Sequence, residues 1–228
     1  MVQIKFGSPT EPTVNYNAYM LESKRGFKVD FENSSKIKIF HSQAAQDLFV
    51  LTALNGKKNG KFVDIGASDP KLINNTYLLE SKFGWNGVLI EIDEALANKC
   101  KKERSSKVIC NDATKIDYSL IFSELGEIDY VSLDIDGLET LQVLEKLPLA
   151  DYKVKVITFE HDLWRIGNQI KDKSRKIFDD LGYERICSDV ANNYNIYEDW
   201  YVHPELVDSD KLKRLRSDKQ EWKDIIFE

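Results

Sequence analysis

"KFVDIGASDP", residues 61–70, carries the reading of the fold. Phe62, Val63 and Ile65 are strand formers, and the run ends at Gly66 with Asp64 just before it. A dinucleotide site at such a strand tip needs the spacing G-x-G-x-x-G, so that a pyrophosphate can lie against the backbone. Here Gly66 stands alone, followed by Ala67, Ser68, Asp69 and Pro70. The stretch therefore predicts a buried strand that meets a ligand without a phosphate cradle.

Outward from this strand, strands and helices alternate. Strand 62–66 leads to a helix at 73–83 closed by Gly84, and strand 87–92 to helix 94–104. Strand 107–110 leads to helix 117–125, strand 128–135 to helix 138–147, and strand 153–160 to helix 171–181. These strands are nearly continuous apolar runs, the pattern of parallel strands covered by helices on both faces. Segments 183–190 and 196–203 alternate more, and the asparagine-rich turn from Asn192 to Asn195 marks a hairpin. The expected fold is an open, mainly parallel α/β sheet with an antiparallel C-terminal hairpin.

Before it, "SQAAQDLFVLTALNG" has helical spacing, with Ser42 as the start cap and Gly56 as the stop. Residues 1–40 read as an extension in which "AYMLESKRGF" suggests a short helix and "KIKIF" a short strand. Residues 41–207 form the domain, and 208–228 a charged peripheral helix.

The chain of 228 residues is 42% hydrophobic and 31% charged, a soluble globular balance for one domain. Its net charge of −6 gives no general attraction for nucleic acid. Cys100, Cys110 and Cys187 show no C-x-x-C spacing, so they read as reduced thiols rather than as a zinc site or disulfide framework. No apolar run is long enough for a bilayer, and the expected location is cytoplasmic.

The strand tips carry the chemistry. Asp64 and Gly66, Glu91, Asp112, Asp134 and Asp136, then Glu160 and His161 fall at successive carboxyl ends. Ligands of open α/β sheets bind at those ends, and an acid at the second tip accepts hydrogen bonds from ribose hydroxyls. S-adenosylmethionine has a ribose but no phosphate, and its other end is an amino acid beside a sulfonium. It asks for one glycine and two acids, which answers the missing glycines; an NAD-dependent oxidoreductase leaves them unexplained.

Taken together, "SQAAQDLFVL" (42–51), "GKFVDIGASDP" (60–70), "NNTYLLESKFGWNGVLIE" (74–91), "IDYVSLDIDGLE" (128–139), "VITFEHD" (156–162) and "EDWYV" (198–202) resemble the FkbM-like S-adenosylmethionine-dependent methyltransferases. The resemblance implies a Rossmann-like methyltransferase fold and methyl transfer to a hydroxyl. The acceptors it implies are sugars of glycans or glycolipids, with polyketide hydroxyls as the alternative. Ala45 stands where the family pattern has glycine, Pro70 where "DG" is common, Asp136 where glutamate is usual and Asp162 where asparagine is usual.

On this reading the donor contacts are Gln43, Gln46 and Asp47 at the first helix, Asp64, Gly66, Ala67 and Ser68 at the first tip, and Asn75 and Thr76 beyond it. Glu91 and Ile92 take the ribose side, Asp112 and Ala113 the adenine, and Asp134 faces the methyl. Asp134, Glu160 and His161 are the catalytic candidates; Asp134 also suits a helix cap, and His161 a structural role. A divalent metal on Asp134, Asp136, Glu160 and His161 is a disfavoured alternative, because imidazole is a poor magnesium ligand. Trp164, Trp200 and Tyr201 either stack on a sugar or pack the core. A non-catalytic binding module on the same fold is the reading of another class.

Overall fold

A computed structural model of the chain describes residues 19–20, 26–218 and 220–228. The apolar runs become strands at the expected places: β3 (Lys61–Ile65), β4 (Asn86–Glu91), β5 (Lys107–Cys110), β6 (Tyr130–Leu133) and β7 (Val156–Glu160). The hairpin is β8 (Glu184–Asn192) and β9 (Asn195–Val202), joined at Asn193 and Tyr194 with φ of 52° and 66°. Two left-handed residues in a two-residue connection match the right-handed twist of the paired strands.

These strands lie in the order β5-β4-β3-β6-β7-β9-β8, and a short β10 (Ser217–Asp218) extends the edge beyond β8. β3, β4, β5, β6 and β7 pair in parallel, while β9 runs antiparallel to both β7 and β8. The last strand of the hairpin is thus inserted between β7 and β8, which gives the Rossmann-like methyltransferase order. Strand order reverses beside β3, so the crevice for a ligand opens above the tips of β3 and β6.

Helices cover both faces. α1 (Gln46–Ala53), α2 (Tyr77–Phe83), α3 (Glu94–Glu103), α4 (Tyr118–Leu125), α5 (Glu139–Lys146) and α7 (Lys171–Asp180) follow their strands, and a four-residue α6 (Leu163–Ile166) follows β7. Side chains alternate along each strand. Phe62 therefore joins a core with Phe49, Trp85 and Trp200, while Val63 and Ile65 join a second core with Phe122, Phe159 and Phe178. Asp93 and Asp117 cap α3 and α4 through the amides of Leu96 and Leu120, and left-handed Gly84 closes α2.

The ends of the chain differ from expectation. The 208–228 segment is not one peripheral helix. It forms a 3-10 turn at Ser209–Leu215, then β10 in parallel with β8, then α8 (Trp222–Ile226). Leu212, Leu215, Trp222, Ile225 and Ile226 are buried in the first core, so the apolar minority of the tail decides its place. At the other end β1 (Tyr19–Met20) pairs antiparallel with β2 (Ile39–Phe40). A strand therefore occupies part of the expected "AYMLESKRGF" helix, and residues 18 and 21–25 of it lie outside the described residues. Cys110 is exposed, whereas Cys100 and Cys187 are buried.

β9 also buries an acid. Glu198 is fully enclosed and accepts the indole N–H of Trp200 at 2.5 Å. Burial first, with Asp134 and Asp199 adding to it, pushes its pKa up to about 8. A carboxyl whose folded pKa is raised costs nothing below its unfolded pKa and destabilises progressively as pH rises towards 8. Glu198→Gln, which keeps an acceptor for the indole, is expected to raise the melting temperature by several degrees at pH 8–9, reflecting up to on the order of 4 kcal/mol. The difference should vanish near pH 5, as read by calorimetric melts at both values. A pH-independent difference would remove the buried-acid explanation.

Candidate active site

Two cavities meet above the strand tips. The larger, of 680 Å³, reaches from Asp64 and Asn75 across Asp134 and Glu160 to Trp164 and the hairpin turn. The smaller, of 490 Å³, lies over β4 and β5 and is lined by Glu91, Ile92, Asp112, Ala113 and Ile135. Gly66, Ser68, Asp134 and Asp136 belong to both and form the neck between them. Ser68, Ile73, Asp136, Asp162 and Asn193 all line the larger cavity with φ between 48° and 54°. Strained backbone on its wall makes this cavity the candidate functional site.

The neck is built on Gly66. Its φ is +89°, and a Cβ there would lie 1.8 Å from the carbonyl oxygen of Asp134. The single glycine is thus demanded by the crossing of the β3 and β6 tips themselves, and not only by a ligand. Its amide donates to Ile90 O at 2.9 Å, which ties the turn to β4.

Glu91 stands at the β4 tip, where its carboxylate accepts the amides of Ser68 at 2.7 Å and Asp93 at 2.8 Å. Two N–H groups fix the carboxylate towards the smaller cavity and leave it further lone pairs for a diol. Exposed Ile92 supplies an apolar face beside it. Asp112 caps its turn through the amide and hydroxyl of Thr114. Those bonds hold its pKa below the ordinary carboxylate value.

On the other side of the neck, Asp64 is buried and accepts the hydroxyl of Thr76 at 2.7 Å. Burial pushes its pKa up to about 6 against the pull of Thr76 and Arg104. Arg104, also buried, donates to Pro70 O at 3.2 Å, Asn74 Oδ1 at 3.0 Å and Thr76 Oγ1 at 2.9 Å. It pairs with Glu80 as well. This anchor fixes the 70–76 loop on which Asn75 sits. The Asn75 amide donates to Ser132 Oγ at 2.9 Å, but its buried Oδ1 has no partner. A buried, unanswered acceptor on a cavity wall is costly unless a ligand donor meets it.

Asp134 and Glu160 form the floor. Burial raises the pKa of both, each also acting on the other, and Glu160 lies well above the ordinary carboxyl range. The two share a hydrogen bond. Two buried acids that interact this strongly do not both ionise, and Glu160, raised further, is the one that favours the proton. Asp136 and Asp162, both left-handed, are bridged by Arg165, at 2.9 Å for Asp136.

Several expected contacts lie elsewhere. His161 does not line either cavity: it follows Glu160 in the chain, so its ring turns to the opposite side and is fully buried. Its Nε2 lies 3.4 Å from Asp199 and 3.9 Å from Asp189, which Arg175 and Lys171 neutralise. A role as general base does not fit that place. Gln43 does line the larger cavity, but α1 begins only at Gln46, after a left-handed Ala45 with φ of 64°. A glycine is the residue such a conformation favours. Gln46 turns to Tyr197, and Asp47 accepts the Ser42 hydroxyl and the amides of His41 and Leu48, so both stand behind the wall. Thr76 likewise acts through Asp64. Trp200 and Tyr201 pack in the core on Phe49 and Phe178, whereas Trp164 is 56% exposed at the cavity mouth.

The metal alternative changes with this geometry. Asp136, Glu160 and Asp162 place oxygens within 4.8 Å of one another, and His161 is not among them. The Arg165 guanidinium already answers two of these acids. Residues not anticipated as part of the site include Asn74, Leu72, Ile73, Tyr197 and Arg165, and the turn amides Asn192, Asn193 and Asn195. The only signal for the last three was the density of asparagine in the turn.

No family model matches the chain, and no curated protein does. Among solved structures it is similar to a TehB-like S-adenosylmethionine-dependent methyltransferase from Corynebacterium glutamicum (13% identity, 75% of this chain, 92% of that one, TM-score 0.46). It is also similar to fibrillarin from Aeropyrum pernix with natively bound S-adenosylmethionine (12%, 71% and 74%, 0.43). A further similar structure is the N-terminal domain of EvdMO1, in the presence of S-adenosylhomocysteine and D-fucose (14%, 71% and 82%, 0.48). With TM-scores below 0.5, the fold assignment rests on the strand order.

Glu91 gives the first test of the smaller cavity. Glu91→Ala is expected to weaken binding of S-adenosylhomocysteine about 10- to 150-fold, a loss of ~1.5–3 kcal/mol in charge-assisted hydrogen bonds. Titration calorimetry on variant and parent, with melting followed in parallel, reads this. Equal affinities would take Glu91 out of the ribose role.

Proposed function

We propose that the chain is an S-adenosylmethionine-dependent O-methyltransferase of the FkbM-like kind, acting on an uncharged sugar hydroxyl of a glycan or glycolipid. The observation that carries this reading is the chemistry of the larger cavity. Among the described residues lining it there are carboxylates, amides and the exposed indole of Trp164, but no Lys, Arg or His. Amides and carboxylates match hydroxyls, and an indole face suits the apolar face of a sugar ring. A phosphate or carboxylate next to the reacting hydroxyl would face Asp134, Asp136, Glu160 and Asp162 with Arg165 already engaged by two of them, which disfavours nucleic acid as acceptor.

The residues present fit the donor. Glu91 and Ile92 would hold its ribose side, Asp112 and Ala113 its adenine, and Asp64, Gln43 and the unanswered Asn75 oxygen its amino-acid end. When bound, the donor supplies an electrophilic methyl group. Asp134, charged at the neck, accepts the proton of the acceptor hydroxyl, and protonated Glu160 holds that carboxylate in place. Arg165 supplies the positive charge that Asp136 and Asp162 require, so the reading needs no divalent metal. The exposed apolar rim of Leu72 and Ile73 favours a second acceptor class, an apolar-bodied alcohol of polyketide type. Three free thiols go with a reducing, cytoplasmic setting.

The test is mass spectrometry of a panel of neutral sugars, glycolipids and polyketide alcohols incubated with methyl-labelled donor, with and without a chelator. One methyl group is expected on a sugar hydroxyl in both conditions. Loss of transfer in chelator, restored by magnesium, would overturn the metal-free account. Transfer confined to the polyketide alcohols would replace the acceptor.

A further inference from the structure

A third cavity, of 670 Å³, lies away from the strand tips, between the 33–41 segment and α2. Lys36, Lys38, Lys58 and Lys82 converge on it together with His41, and no carboxylate is among the described residues that line it. Several exposed lysines elsewhere on this acidic chain are answered by acids: Lys71 by Glu103, Lys99 by Asp69, Lys107 by Glu124 and Lys153 by Glu205. Here, among the described residues, Lys36 reaches the Asn33 side chain and Lys38 the carbonyl of Ser35, and neither meets an acid. Lys58 and Lys82 have no hydrogen bond or ion pair among the described residues. The floor is different in kind, with the Tyr77 ring beside Leu78 and Phe83.

Four lysines line one concave site without an acid among the described residues that line it, and a monoanion would answer too few of them. Lysine is a point-charge binder of phosphate, and an apolar floor adds area for an organic body. We infer that this cavity is a binding site for a diphosphate-bearing ligand, separate from the methyl-transfer cavity and independent of the activity proposed for it. The two sites share a wall. His41 lines the basic cavity and Gln43, two residues on, lines the larger one, while His41 Nδ1 contacts Lys71 O at 3.2 Å beside Leu72 and Ile73. Burial, then the charges of Lys82, Arg104 and Lys71 against one backbone hydrogen bond, hold the His41 pKa below its ordinary value. An anion seated among these lysines must raise it, so His41 reports occupancy.

The diphosphate has two sources, free in solution or carried on a sugar, and inorganic pyrophosphate and uridine diphosphate glucose separate them. Each is titrated calorimetrically into the full chain and into two charge-reversed variants. One variant is Lys58→Glu with Lys82→Glu; the control is Lys101→Glu with Lys102→Glu, exposed on α3 and away from the cavity. Saturable binding of pyrophosphate is expected, weakened tenfold or more by the first pair and little changed by the control. Proton NMR titration of His41 should show its pKa rising with pyrophosphate. Tighter binding of the nucleotide sugar would assign the carried source, and equal binding the free one; either supports the site. No saturable binding, equal losses in both variants or an unmoved His41 titration would overturn it. None of these readouts requires methyl transfer, so they stand or fall apart from the proposed reaction.

Discussion

Asp134→Asn is expected to lower methyl transfer by about 10²–10⁴, the loss that follows removal of a positioned base. Asp134 belongs to both cavities and carries the charge of its pair with Glu160. The amide keeps the shape of the site but cannot take a proton. Glu160→Gln should cost less, because Asp134 stays ionised and still finds a hydrogen-bond donor in the amide. The pH profile gives an independent sign. Burial and the neighbouring acids raise the Asp134 pKa, so activity should fall on acidification at a pH above the ordinary carboxylate range. Single-turnover rates across pH check both statements. An Asp134→Asn enzyme within tenfold of the parent would end the assignment.

Gly66→Ala is expected to damage the protein before it damages donor binding. The added Cβ would sit 1.8 Å from Asp134 O, 2.7 Å from Asp134 C and 2.9 Å from Ile135 Cγ2. The nearest two are backbone atoms of a central strand tip, which cannot swing aside as a side chain can. Left-handed backbone costs an alanine about 1–2 kcal/mol, and overpacking typically adds 1–3 kcal/mol. A chain of this size loses about 2–4 °C of melting temperature per kcal/mol, so a fall of roughly 5–15 °C should appear in thermal melts. Any folded fraction should have lost donor binding, because the neck must open to relieve the contact. An alanine variant that melts like the parent would contradict the geometry.

This position shows how far the sequence could be read. The lone glycine at the end of "FVDIG" was legible, but its first contact, the Asp134 carbonyl, comes from a strand 68 residues further on by number. Parallel strands bring their tips together, so Asp64, Glu91, Asp134 and Glu160 could be read as a row before their neighbours were known. Alternation likewise put Glu160 and His161 on opposite sides. It did not say that Asp189, Asp199 and Arg175 would claim the histidine, since that cluster assembles only when β9 inserts between β7 and β8. The tail misled for a related reason. Leu212, Leu215, Trp222 and Ile225 have helical spacing, yet the open edge of β8 draws Ser217 and Asp218 into a strand. Tertiary pairing overrides local propensity there. Ala45 is the converse case, where the expected glycine and the observed left-handed backbone agree.

The most direct test of the account is calorimetric titration of S-adenosylhomocysteine, with NAD as comparator, at pH 7.5 and pH 5. Micromolar binding, about −8 kcal/mol, is expected at the higher pH. Asp64 is ionised above about pH 6 and protonated below it, so the affinity should weaken at pH 5, and Asp64→Asn should abolish that pH step. NAD should not bind, for want of a phosphate cradle beside Gly66. Binding of NAD without S-adenosylhomocysteine would contradict the central claim that this strand-tip cleft holds a methyl donor.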